Sequence, residues 1–133
     1  MTFSSDNRKS SALQWMEFIP AVVLTVGIAV VSLWENPSMP AAMSAKDKLI
    51  HGCMYFLLAV VWMLPVRRRC TGRFMPYISV GTAVVLYGAL MEVLQRFCTM
   101  SRSGEMADWY ADALGASIGL AIIAVWQTTK HTS

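Results

Sequence analysis

The stretch 18–34, FIPAVVLTVGIAVVSLW, holds 17 residues and no charge. Glu17 stands before it and Glu35 after it. A helix rises about 1.5 Å per residue and the hydrocarbon core is about 30 Å thick, so such a run is close to one membrane crossing. Three more runs of the same kind follow. Residues 49–66 lie between Lys48 and Arg67, 74–91 between Arg73 and Glu92, and 113–129 between Asp112 and Lys130. Each is at the short end for a span, so the helices are expected to extend about a turn into the flanking polar residues, over approximately 15–35, 48–66, 74–95 and 106–128.

Composition agrees with that reading. Of the 133 residues, 56% are hydrophobic and 14% charged, against a charged share of roughly 25% in soluble domains. A small soluble domain needs more polar surface than this chain can supply. A disordered tail and a nucleic-acid reader are excluded on the same ground. Four helices of a soluble bundle would each need a polar stripe, and these runs have none. The first run is also too long for the apolar region of a secretory signal, about 7–15 residues, and no clean small-x-small cleavage site follows it. The expected fold is therefore an all-α, four-transmembrane-helix bundle in one domain over residues 1–133. Trp15, Trp34, Tyr77, Trp109, Tyr110 and Trp126 fall near span ends, where such rings favour the membrane boundary.

The net charge of +3 says little until the charges are sorted by side. Four crossings put both termini together. Arg8, Lys9, Arg67, Arg68, Arg69, Arg73 and Lys130 share that side, while Lys46, Lys48, Arg96 and Arg102 share the other. The positive-inside rule then predicts cytoplasmic termini and a cytoplasmic arginine loop at 67–73 that determines topology and meets anionic lipid. Acids divide the opposite way. Glu35, Asp47, Glu92, Glu105, Asp108 and Asp112 fall outside, and only Asp6 and Glu17 inside.

Ionisable groups at membrane depth are costly and are usually paired or functional. Here they recur at helical spacing. Asp47, His51 and Tyr55 share one face of span two; Glu92 and Gln95 share one face of span three; Glu105, Asp108 and Asp112 begin span four. Arg96 and Arg102 bracket the loop between the last two spans. Capping, snorkelling and the helix dipole account for groups at the very ends. They account poorly for His51, Glu92 and Asp112, which lie deeper and are expected to face one another. Ala111, Gly115 and Gly119 form a small-x-x-x-small ladder, and Gly81 and Gly88 lie two turns apart; both patterns predict close helix packing. The three cysteines, Cys53, Cys70 and Cys98, make no disulfide framework. Only Cys53 and Cys98 lie towards the same side.

Asp47-Lys48-x-x-His51 with Tyr55, then Glu92-x-x-Gln95, then Arg102 and Asp108-x-x-x-Asp112-x-x-Gly115 together resemble the signature of VanZ-like membrane proteins. Order, spacing and placement between spans agree over roughly residues 45–120. Span one fits in position but not in motif. Many members of that family carry Asn where this chain has Asp112. The family takes its name from an association with resistance to teicoplanin, a lipid-anchored glycopeptide. The resemblance implies a bacterial inner-membrane protein with its polar cluster facing outward.

Two functions fit these residues. In the first, the cluster binds or acts on lipid head groups or lipid-linked envelope precursors at the outer leaflet. His51 would serve as acid or base, with Asp47 orienting it or stabilising its charged form. Glu92 and Asp108 would be acid–base groups or hold a divalent ion. Arg102 and Arg96 would bind phosphate or carboxylate, and Gln95, Tyr55 and Asp112 would contact the substrate. In the second, the cluster is a structural network in a small accessory protein that works through a protein partner in the membrane. Proton transport is a weaker third reading, because the acids crowd one end and only Ser79, Thr82 and Ser117 line an inner path. One His with several carboxylates suits a divalent metal such as Mn, Mg or Zn. However, no HxxxH or HxxEH pair is present, and His131 falls on the opposite side. The spacing therefore assigns no metal ligands.

Overall fold

The computed structural model describes residues 11–34, 45–100 and 106–131, with the side chains of 45–47 and 131 outside the described set. A helical segment over 11–16 leads through a turn at 17–18 into α1, Ile19–Leu33. Three longer helices follow: α2, Ala45–Arg69; α3, Met75–Cys98; and α4, Met106–His131. No strand occurs among the described residues. Proline opens both α1 and α3, as Pro20 and Pro76, where a missing N–H costs nothing and the fixed φ suits a first turn.

All four helices are long and apolar enough to cross a membrane, with continuous stretches of 23, 22, 24 and 25 residues. At 1.5 Å per residue these are about 33–38 Å long, enough for the hydrocarbon core with margin at each end. The outward faces are predominantly apolar. Val23, Val30, Leu57, Ile78, Leu86, Leu114, Ile122 and Val125 are among the large side chains left exposed. Apolar surface on that scale would aggregate in water and is solvated in lipid.

The inward faces build one core from all four helices: Ile28 of α1, Tyr55, Leu58, Ala59 and Met63 of α2, Val80 and Val84 of α3, and Ala116 and Ile123 of α4. The most extensive packing is between α2 and α4. Glycine permits it. A Cβ on Gly115 would lie 2.0 Å from the Gly52 carbonyl oxygen, and one on Gly119 would lie 2.9 Å from that of Phe56.

Polar contacts mark the two ends. At one end, Glu17 binds Arg68 at 2.6 Å and Arg69 at 3.3 Å. Arg69 also donates to the Gln14 carbonyl and lies 4.5 Å from the Phe18 ring. Arg67 donates to the Tyr77 hydroxyl at 3.0 Å, which donates to Gln127 at 2.6 Å. The run at 67–69, expected in a loop, is the last turn of α2. The helix continues through Pro65, and the cationic side chains meet the helix C-terminal dipole. At the other end, α1 and α3 finish and α2 and α4 begin. The candidate residues lie there.

Candidate functional site

His51 stands six residues inside the start of α2, Asp112 six inside the start of α4, and Glu92 six before the end of α3. Each therefore lies about 9 Å in from its helix end. The three converge: one donor atom from each falls within 4.8 Å of the other two. His51 is 4% and Asp112 1% exposed, while Glu92 is half-buried. His51 Nδ1 lies 3.2 Å from Asp112 Oδ1. With the carboxylate accepting, Nδ1 carries the hydrogen and Nε2 is the acceptor of the ring. Asp112 Oδ2 has no hydrogen-bond partner among the described residues.

The walls of this site come from the same packing that holds the bundle. Gly88 of α3 leaves room beside Asp112. A Cβ there would lie 3.3 Å from Asp112 Oδ2 and 3.2 Å from the Tyr55 ring. Tyr55, one turn beyond His51, is 1% exposed and lies with its ring centroid 6.1 Å from that of Tyr87. Asp108 is buried at 3% exposure, one turn before Asp112 on the same face of α4. The cluster therefore combines an imidazole and three carboxylates contributed by three helices.

Two further predicted residues lie apart from this donor set. Gln95 is buried, but its amide donates to the Ser32 carbonyl at 3.0 Å, which ties the end of α1 to α3. Arg96 is exposed in the last turn of α3. Arg102 and Glu105 lie outside the described residues, as does the side chain of Asp47. A carboxylate that can orient the His51 ring is supplied by Asp112 on α4. All three cysteines are free and exposed, so Cys53 and Cys98 are not bridged.

Sequence spacing identified which residues share a face of one helix. Depth along the helices predicted that His51, Glu92 and Asp112 face one another, and they do; what spacing did not give is the specific bond between His51 and Asp112. Paired-His motifs within one helix are absent, whereas these donors are split among three helices. Further down the bundle, a largely apolar cleft of about 350 Å³ is lined by Thr25, Leu58, Trp62, Val84 and Tyr87 among others. Two bonds to one residue brace it: Trp62 donates to the Thr25 hydroxyl at 3.0 Å, and Tyr87 to the Thr25 carbonyl at 2.6 Å. No continuous line of ionisable groups runs from the cluster through this region among the described residues.

Fold and site together define a small helical protein of membrane type with a buried acid–imidazole cluster near one end. No family model, curated protein or solved structure matches the chain.

Proposed function

We propose that the chain is a VanZ-like protein of the bacterial inner membrane, with both termini cytoplasmic, whose cluster binds or acts on phosphate-bearing lipid head groups or lipid-linked envelope precursors at the outer leaflet. The observation that carries this reading is the convergence of His51, Glu92 and Asp112 from three helices. Buried ionisable groups of this kind are expensive in a bilayer and mark ligand or proton sites by default. Their depth supports the reading further. About 9 Å inside a helix end is a few ångströms below the hydrocarbon boundary, at the level of the first acyl carbons and next to the head groups. Arg96, exposed at the same end, supplies a cation suited to phosphate.

Within this reading His51 is the acid–base group, and Asp112 fixes its ring through Nδ1. Glu92 and Asp108 supply negative charge or exchange protons, and Arg102 and Arg96 attract the anionic head group. The test is an alanine scan of His51, Glu92, Arg102 and Asp108 in cells, read by lipid profiling and by teicoplanin sensitivity. At least one lipid species or the sensitivity is expected to change in these variants but not in the parent. Unchanged lipids and sensitivity across the whole set would sink the reading.

One observation favours a structural network instead. Gln95 is spent on the Ser32 carbonyl, and a buried His51–Asp112 bond fixes the register of α2 against α4. The two readings separate on purified variants. A network role predicts that His51→Ala and Glu92→Ala unfold the bundle. A site predicts folded variants that have lost the cellular phenotype.

A further inference from the structure

We propose that His51, Glu92 and Asp112 form a three-ligand site for a divalent first-row metal ion, Zn²⁺ or Mn²⁺, closed across α2, α3 and α4. The site is the cluster of the proposed function. Its use on a phosphate rests on that reading, whereas the binding of the ion stands on the geometry alone.

Three observations support it. The donors are of the right kind and number. One imidazole nitrogen and two carboxylates suit Zn²⁺ and Mn²⁺, and three protein ligands leave a position for water or a substrate oxygen. The spacing is also right. Ligands held at 2.0–2.1 Å around a tetrahedral ion stand about 3.3–3.4 Å apart, and His51 Nδ1 and Asp112 Oδ1 lie at 3.2 Å. An ion there takes the place of the hydrogen between them, and the ring hydrogen moves to Nε2. With all three donors inside 4.8 Å, Glu92 stands close enough to complete the set. Finally, Asp112 is 1% exposed, and its Oδ2 has no hydrogen-bond partner among the described residues. A buried carboxylate oxygen without a donor is costly, and a cation beside it removes that cost.

The donor set does not suit other ions as well. Ca²⁺ needs six to eight oxygens, more than three side chains provide. Cu(I) prefers sulfur, and Cys53, Cys70 and Cys98 are exposed, away from the buried cluster. With three protein ligands, a fourth position would remain for water or a phosphate oxygen. The ion would then act as a Lewis acid on a phosphate oxygen or bind it as an electrostatic anchor.

The test uses the full chain in detergent with Cys53, Cys70 and Cys98 changed to Ser, stripped with chelator. The probes are Zn²⁺ by calorimetry and Co²⁺ by its visible absorption. One equivalent of Zn²⁺ per chain is expected, with a Kd of about 1 µM or tighter, and a tetrahedral Co²⁺ spectrum without thiolate bands. Asp112→Asn, nearly isosteric, and His51→Gln should each weaken binding at least about tenfold. Lys130→Ala, at the opposite end of α4, should leave it unchanged. The proposal is overturned by a folded parent that binds no Zn²⁺ below about 1 mM, or by Lys130→Ala weakening binding as much as Asp112→Asn does. A variant that fails to fold does not spoil the test, because stoichiometry and the Co²⁺ spectrum are read on the parent. Failure here is distinguishable from failure of the lipid reading. A parent without metal whose His51→Ala variant still alters the lipids overturns the ion and keeps the lipid site. Metal bound by the parent with no lipid phenotype in any variant keeps the ion and overturns the lipid site.

Discussion

His51 and Asp112 have to be considered as one unit. Removing the imidazole leaves a carboxylate 1% exposed with the partner of Oδ1 gone and none on Oδ2 among the described residues. Breaking one side of a buried ion pair costs about 3–5 kcal/mol. Changing Asp112→Asn keeps an acceptor for the Nδ1 hydrogen and removes the charge, so the loss should be nearer about 1 kcal/mol, the usual worth of an interhelical bond in a membrane. The double variant His51→Ala/Asp112→Ala should recover part of the single-variant loss, with a coupling of about 1–3 kcal/mol. Reversible unfolding in mixed detergent measures all four corners of this cycle. Strict additivity would show that the two side chains do not interact. The acid at 112 matters most here for its charge. An amide would serve a purely hydrogen-bonding role, whereas the acid supplies the charge on which the cation site depends.

At the scale of elements, glycine decides how α2 and α4 meet. At Gly115 the obstacle to a Cβ is backbone, the Gly52 carbonyl at 2.0 Å, which no rotamer change can move aside. Gly115→Ala must therefore push the helices apart and should cost at least about 1–3 kcal/mol, the range for overpacked cores. Gly27 of α1 has nothing within 4 Å of its Cβ position. Gly27→Ala should be neutral or stabilise by up to about 1 kcal/mol, since Ala is the better helix former. Melting both variants in detergent checks the contrast, and similar midpoints would contradict it. The 111–115–119 ladder was legible in the sequence as a packing face, because small residues one turn apart have a single common use in membranes. Its partner was not, since Gly52 sits alone in α2 with no small neighbour at that spacing. Gln95 illustrates the same limit. Three residues after Glu92, it reads as part of a site, yet its rotation around α3 aims it at Ser32 of α1. Helix number and approximate span positions came from charge-free run length, which one dimension records in full. That His51, Glu92 and Asp112 converge was legible from their depth, but which atoms pair needed the third dimension, because the donors are 41 and 20 residues apart in the chain.

For the whole molecule, the outstanding physical question is which end faces the cytoplasm. The two ends differ in kind. Arg67, Arg68 and Arg69 close α2 at one end, Arg73 follows them in the chain, and Lys130 lies in the last turn of α4. The buried acids and His51 occupy the other. Positive-inside bias acts during insertion, through the cost of moving Lys and Arg outward, and acids contribute little to it. Seven of the eleven basic residues belong to the terminal and 67–73 segments, which argues for that end inside. The cysteines provide a direct probe, since Cys70 follows α2 at the arginine end, Cys98 ends α3 at the acidic end, and both are exposed. In single-cysteine variants of the full chain, a membrane-impermeant maleimide added to spheroplasts should label Cys98 at once and Cys70 only after permeabilisation. The reverse order would invert the bundle. It would also turn the cluster toward the cytoplasmic leaflet, where a lipid-linked precursor on the outer surface could not reach it.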